Sequence, residues 1–357
     1  MEKIKKLNIK IKIAMGCVIV LLILVLGSFA FYHNGIKAVS SKDKEVIVTI
    51  PKGSSGSNIL EILNKKDLLK SPMCAKIYLK LNSYDFKSNV YILNKNMDLE
   101  EIMTILEGND KEHISNTKIT VLDGQTIPEY AKIIAKQTGI DENKILEKWT
   151  DQAYLKKLIK KYWFLTDDIL SCGIYYPLEG YLAPETYFLT QEDTIESITK
   201  MMLDQMEKHL QKYKTHIESF KVGNQTLSIH QFMTLSSIVQ RESPTNSQDQ
   251  QLIAGVLINR LNKQMPLQCD VTVNYGNQVV KIAVTHNDLS NDTKYNTYLY
   301  KGLPVGPISA VSTEMIQSVL NYKESEYYYF FATQDGKVLF AKTYEEHQAN
   351  VKSNKWY

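Results

Sequence analysis

Twenty consecutive uncharged residues, Ile13 to Tyr32, stand between Lys12 and His33 and include the run CVIVLLILVLGSFAFY. At helical rise such a stretch spans about 30 Å, the thickness of a bilayer's hydrocarbon core. It predicts one transmembrane helix over 13–32, so everything after it must fold on one side of a membrane. Lys3, Lys5, Lys6, Lys10 and Lys12 precede it, which makes 1–12 a cytoplasmic tail and puts residues from about 33 onward outside. A cleaved signal peptide is the competing reading. Its apolar region would be shorter, and Phe31-Tyr32-His33 follows Ala30 where a small-residue processing site would stand.

The charge pattern narrows the partners. Five lysines against Glu2 give the first twelve residues +4, whereas the whole chain carries +3, so the remainder carries −1. Nothing there suits a polyanion, and nucleic acid is excluded as a partner. The rest is ordinary globular material, 44% hydrophobic and 23% charged over 357 residues, enough for two or three domains. Of four cysteines Cys17 falls in the membrane span, and Cys74, Cys172 and Cys269 form no CxxC pair or Cys/His cluster. Neither a zinc site nor a disulfide framework is indicated, and a single bridge among the three stays open. Seven histidines without HExxH, and the absence of GxSxG and Walker-type loops, leave no metal or cofactor expected. His286, in VTHND, reads as solvated loop.

After a polar stalk over 33–44, VIVTIPKGSSGSNILEILNKKDLL reads as strand, glycine turn and amphipathic helix. The pattern returns 71 residues later, IVTIPKGSSGSNILEIL echoed by KITVLDGQTIPEYAKII with Gly53 matching Gly124. A repeat of this kind marks a duplicated packing unit, so its glycines are turn formers rather than phosphate cradles. Asp98 to Leu106 reads as a helix closed by Gly108, which completes a small βα domain over 45–112. The second domain, 113–357, is helical over about 142–213 except where Pro177, Gly180 and Pro184 interrupt it. It ends in two β-rich runs joined through Asp335-Gly336, a hairpin signal. Helices mixed with antiparallel strands make the fold class α+β.

Only two of the 42 basic residues are arginine, Arg241 and Arg260, and they bracket Glu242. Ser228 to Ser243 has helical periodicity with Pro244 as its stop; Phe232, Leu235 and Val239 form one stripe, Ile238 lies beside it, and Glu242 continues it. A carboxylate that extends an apolar face is partly desolvated, which raises its pKa toward the range of a general acid. Arg241 points about 100° away around the helix and need not cancel the effect. The next helix, about 249–262, ends its stripes in Asn259 and Arg260, so two apolar faces run into one polar patch. MPLQCDVTVNYG then reads as short and β-rich around Asp270, and KYNTYLYKGLPVGPISA as loop, free to put Tyr295, Asn296 and Thr297 in a cleft. The plain alternatives are a fraying helix end and a solvated surface pair.

SSIVQRES, AGVLINRL, MPLQCDVTVNYG and YNTYLYKGLPVGPIS, in that order, resemble the YceG-like family of endolytic murein transglycosylases, as do LEGYLAPETYFL and the final EYYYFFATQDGKVLFAKTYEEHQANV. The resemblance covers nearly the whole chain. It implies that 45–112 is LysM-like and 113–357 the transglycosylase domain, with its motifs over 228–310. It further implies a lyase in the cell membrane that cleaves the β-1,4 bond between N-acetylmuramic acid and N-acetylglucosamine in peptidoglycan, leaving 1,6-anhydro ends. Glu242 would be the acid/base, and Asn259, Arg260, Gln268, Asp270, Thr272, Tyr275, Tyr295, Asn296 and Thr297 the substrate-binding set. Peptidoglycan strands, synthases and proteins of the division or elongation machinery are the implied partners. Val271, Lys294 and Val305 depart from the family's prolines, and a peptidoglycan-binding scaffold with weakened catalysis is the alternative that those departures suggest.

Overall fold

The computed structural model describes residues 2–51, 53–110, 112–114, 118–189, 193–243, 247–281 and 284–354. It divides into two compact units, one essentially 1–118 and the other essentially 119–357.

The first unit begins with α1, Glu2–Gly35. Its stretch Ile13–Gly35 has mean hydropathy 2.8, and the apolar window buries none of its residues within the protein. The helix thus runs three residues beyond the expected end at Tyr32. It leads into β1 (Glu45–Ile50), α2 (Gly56–Lys65), α3 (Pro72–Leu81), β2 (Asn89–Asn94) and α4 (Leu99–Ile105). The strands pair antiparallel from Glu45 opposite Asn94 to Ile50 opposite Asn89, and Val48, Ile59, Leu63, Leu93 and Ile102 fill the core beneath them. Asp98 and Glu101 close a capping box at α4, each satisfying the other's backbone N–H. The polar stretch after α1 is fastened to this unit: Leu99 N donates to Ile36 O at 2.9 Å and Ser40 N to Lys95 O at 3.0 Å.

From β3 (Lys118–Thr120) onward helices dominate: α5 (Ile127–Thr138), α6 (Glu142–Thr150), α7 (Gln152–Lys161), a 3₁₀ turn (Asp167–Leu170), β4 (Thr186–Phe188), α8 (Ile195–Gln211) and α9 (Lys214–Glu218). A small hairpin, β5 (Lys221–Val222) with β6 (Gln225–Thr226), leads into α10 (Ile229–Glu242), α11 (Ser247–Asn262), α12 (Asp270–Gly276), α13 (His286–Leu289) and α14 (Thr313–Leu320). The terminal hairpin is β7 (Tyr329–Ala332) with β8 (Val338–Ala341), turned through Asp335-Gly336, and α15 (Tyr344–Asn354) follows. The repeat is realised as two strand–turn–helix passages, β1–α2 and β3–α5, with Gly53 and Gly124 both left-handed at φ 80° and 75°.

The hub of the second unit is α11, which packs on α14 and α10. Gly255 in mid-α11 is what allows that approach, since a Cβ there would lie 2.2 Å from the Lys323 carbonyl oxygen. Gly255→Ala is therefore expected to destabilise the protein by about 2 kcal/mol, although alanine is the better helix former. Urea unfolding of the full chain in detergent measures it.

One expected element is corrected. MPLQCDVTVNYG does not form a strand; Asp270 to Gly276 is helix α12. The β-branched run Val271-Thr272-Val273 would favour extended backbone, but propensity is a weak prior that packing overrides. Thr272 and Val273 are buried, and both the N–H and the hydroxyl of Thr272 are bonded to Cys269 O, at 3.1 and 2.7 Å, which closes a turn.

Candidate active site

α10 enters through Ser228, whose hydroxyl accepts from Gln231 N while the Gln231 side chain accepts from Ser228 N. Phe232, Leu235, Ile238 and Val239 are fully buried, as are Ser236 and Ser237, so the helix is a core element along most of its length. Its last turn is gripped from the side. Arg241 donates from Nη1 to Gly124 O at 2.9 Å, and Gln240 donates to Asp123 at 3.0 Å while accepting from Ser312 N at 3.1 Å. Arg241 is exposed and turned away, as its helical angle predicts. Pro244, the expected stop, lies outside the described residues; α10 ends at Glu242.

Glu242 is half-buried and faces a cavity of about 500 Å³ that it shares with Arg260, Gln268, Cys269, Asp270 and Tyr298. Burial pushes its carboxyl up to about 7, and the charge of Asp270 acts in the same direction. The neighbouring Cys269 thiol and the charges of Arg241 and Arg260 oppose the rise. Asp270 opens α12, and burial raises it too; Tyr298 donates its phenol to Asp270 Oδ1 at 2.6 Å, which favours the ionised form.

Arg260 is 7% exposed and spends its fork on backbone. Nε donates to Tyr328 O at 2.6 Å, and Nη1 to Leu267 O at 2.8 Å and to Pro266 O at 3.2 Å. Its guanidinium also lies 4.9 Å from the Tyr329 ring centroid. One side chain thus ties the 266–268 turn to the terminal hairpin. Asn259 does related work facing away from the cavity, donating to Ser325 O at 2.7 Å and Tyr327 O at 2.9 Å.

Of the residues expected to bind substrate, the structure brings Arg260, Gln268 and Asp270 to the cavity with Glu242. It does not bring the others. Thr272 and Thr297 share a hydroxyl–hydroxyl bond of 2.8 Å below the cavity floor. Asn296 staples its own loop, donating to Leu289 O and Asn291 O and accepting from Tyr298 N. Tyr275 and Tyr295 stack edge to face at 4.8 Å in the core. Tyr275 donates to Glu179 at 3.1 Å, and Glu179 is a second buried carboxyl, pushed up to about 8 and bonded to Ile127 N, with no place in the cavity. These residues shape the cavity from behind.

The far wall went unread in the sequence. Tyr329 of β7 and Tyr344 and His347 of α15 line it, with Tyr329 and His347 stacked at 5.3 Å. The departures from proline are accommodated: Val305 N donates to Lys294 O at 3.3 Å, a bond proline cannot make, and Val305 O is bonded to the His230 ring at 2.9 Å. All four cysteines are free, so no bridge forms.

Residues 48–353 match the YceG-like family. The chain is 35% identical to the endolytic murein transglycosylase of Bacillus subtilis (strain 168), over 91% of this chain and 89% of that protein. It is 32% identical to the endolytic murein transglycosylase of Streptococcus pneumoniae serotype 2 (strain D39) over 87% of this chain, and spans 59% of that longer protein. A solved YceG-like protein from Listeria monocytogenes, 33% identical, is similar in fold at a TM-score of 0.61, covering 87% of this chain and all of that one.

Proposed function

The chain belongs to the YceG-like family, and on that premise we propose that it is an endolytic murein transglycosylase anchored by α1, with its second unit acting on peptidoglycan strands outside the membrane. The observation that carries the reading is the carboxyl of Glu242, held near 7 in a cavity of saccharide size. At neutral pH about half of such groups carry a proton, against roughly one in 500 for an unshifted glutamate. Glu242 protonates the glycosidic oxygen between N-acetylmuramic acid and N-acetylglucosamine. The resulting carboxylate then takes the proton of the muramic C6 hydroxyl as that oxygen attacks C1. A 1,6-anhydro end forms, and no water enters the balance. Asp270, kept as an acceptor by Tyr298, faces the positive charge that develops at C1. The lysines before the span orient α1 with its N-terminus in the cytoplasm, and the small unit, read as LysM-like, holds the strand.

The presence of Asp270 favours one rival, a hydrolase in which this second carboxylate activates water. Mass spectrometry of products from strands digested by the full chain in detergent separates the two. Anhydro-muramic ends without incorporated solvent oxygen are expected; reducing ends labelled from heavy-oxygen water would establish hydrolysis instead. The acid role also sets a pH dependence. Because the protonated form is required, kcat/KM should fall tenfold per unit above about pH 7, and a profile flat to pH 9 would remove Glu242 as the acid.

A further inference from the structure

We propose that α3 lies on the outer lipid surface of the bilayer that α1 crosses, its exposed apolar stripe entering the headgroup region and its lysines meeting anionic lipid; this rests on the reading of α1 as a transmembrane anchor.

The placement starts at the end of the span. α3 is docked on the last turns of α1: a Cβ on Gly35 would lie 2.4 Å from Cys74 Sγ and 3.1 Å from Ser71 Cβ, so glycine is what lets the two helices approach. Cys74 Sγ lies 3.9 Å from Phe31 O, and Lys70 Nζ donates to Asn34 Oδ1 at 3.1 Å. The apolar stretch ends at Gly35. The N-terminus of α3 is therefore held at the level where hydrocarbon gives way to headgroups. No free tether lifts it away, since the chain is bonded to the small unit again at Ile36 O, one residue past the end of α1.

The outward face of α3 has the composition that such a position calls for. Cys74, Ala75 and Tyr78 form the buried face. Met73, Lys76, Ile77, Lys80 and Leu81 stand outward at spacings of three and four, which makes one stripe. Met73 is 58% exposed, Ile77 41% and Leu81 72%. A single exposed apolar residue needs no explanation, but three aligned on one short helix form a patch that lipid covers and water does not. Lys76 and Lys80 lay their stems along the apolar boundary and carry their ammonium groups up to the phosphates. The charge runs against the trend of the chain. Lys65, Lys66, Lys70, Lys76 and Lys80 stand against Asp67 alone over 65–80, a local +4, whereas everything after the first twelve residues sums to −1. A second copy of the chain would cover the apolar residues but would set these lysines against one another, and it would not account for a stripe placed at the end of a membrane span.

The test uses the full chain in vesicles of phosphatidylglycerol and phosphatidylcholine, with Met73→Trp, Ile77→Trp and Leu81→Trp each beside the wild type, whose three tryptophans give the background. Lipids brominated about 5 to 10 Å below the headgroup boundary should quench the emission added at each position and find its maximum shifted to the blue. Adding Lys76→Glu and Lys80→Glu should remove most of that quenching. Added emission that bromine leaves untouched, in vesicles from which carbonate does not extract the chain, would overturn the proposal while the anchor stands. A chain that carbonate strips from the vesicles would strike the anchor, and the proposal with it. A blue shift without bromine quenching, growing with protein density, would assign the stripe to contact between two copies instead. The unaltered chain gives a second readout: photoactivatable phosphatidylglycerol should crosslink to 72–81 as well as to α1, and adducts on α1 alone would sink the idea even if the tryptophan variants fail to fold.

Discussion

Glu242→Gln lowers strand cleavage by about a thousandfold or more, while the folded chain and its affinity for glycan persist. An amide keeps the shape of the carboxyl but can neither give a proton to the leaving oxygen nor take one from the C6 hydroxyl. Both halves of the proposed reaction fail together, and general acid–base contributions of about 10² to 10⁴ set the scale. Stability moves the other way. Because the folded-state pKa, about 7, stands above the ordinary 4.5, burying the ionised form costs free energy. That cost is absent below about pH 4.5, grows as pH rises, and is complete above 7. The variant carries no charge and escapes it, with a gain of about 2 kcal/mol at pH 8 after allowance for the open side of the cavity. Melting curves at pH 8 and pH 5 check this: the variant should melt several degrees higher at pH 8, with most of the gain gone at pH 5. A variant that cuts strands at wild-type rate would displace Glu242 from the chemistry.

That prediction was reachable from sequence because α10 states its own orientation. Phe232, Leu235 and Val239 fix a buried stripe, and Glu242 falls three residues beyond it, so helical geometry alone puts a carboxylate at the edge of a core. Gly53 and Gly124 were legible for a similar reason, as turns whose demands are local. α12 was not, because Val271, Thr272 and Val273 carry a strand's side chains, and what bends them into a helix is a hydroxyl network with Thr297, 25 residues away. The far wall is the same case at longer range. Tyr329, Tyr344 and His347 lie 87 to 105 positions beyond Glu242, and an aromatic in a hairpin or on a short helix does not announce which cavity it will face. Family motifs marked residues that matter without separating those that line a cavity from those that build its back; that distinction needs the hydrogen-bond partners of Asn259, Asn296 and Thr297.

The two arginines make the sharpest contrast. Arg260→Ala is expected to cost about 3 to 5 kcal/mol and to abolish cleavage, whereas Arg241→Ala costs about 1 kcal/mol or less and leaves most activity. Arg260 is buried and its fork satisfies three carbonyls, those of Pro266, Leu267 and Tyr328. Removing it strands those oxygens, opens a cavity under the Tyr329 ring, and frees the turn that carries Gln268, Cys269 and Asp270. Lysine is no substitute, because a single ammonium cannot reach Tyr328 O and Leu267 O with the two separate edges of a planar group. Arg260→Lys should therefore retain only part of the stability and little activity, and raising the enzyme concentration will not recover it, since the acid's surroundings have changed rather than the folded fraction alone. Arg241 makes its bond to Gly124 O on an exposed face, where water replaces a lost donor. Urea unfolding paired with strand-cleavage rates across the three variants tests the split. Equal losses at both positions would mean that the clamp is not what holds the cavity together.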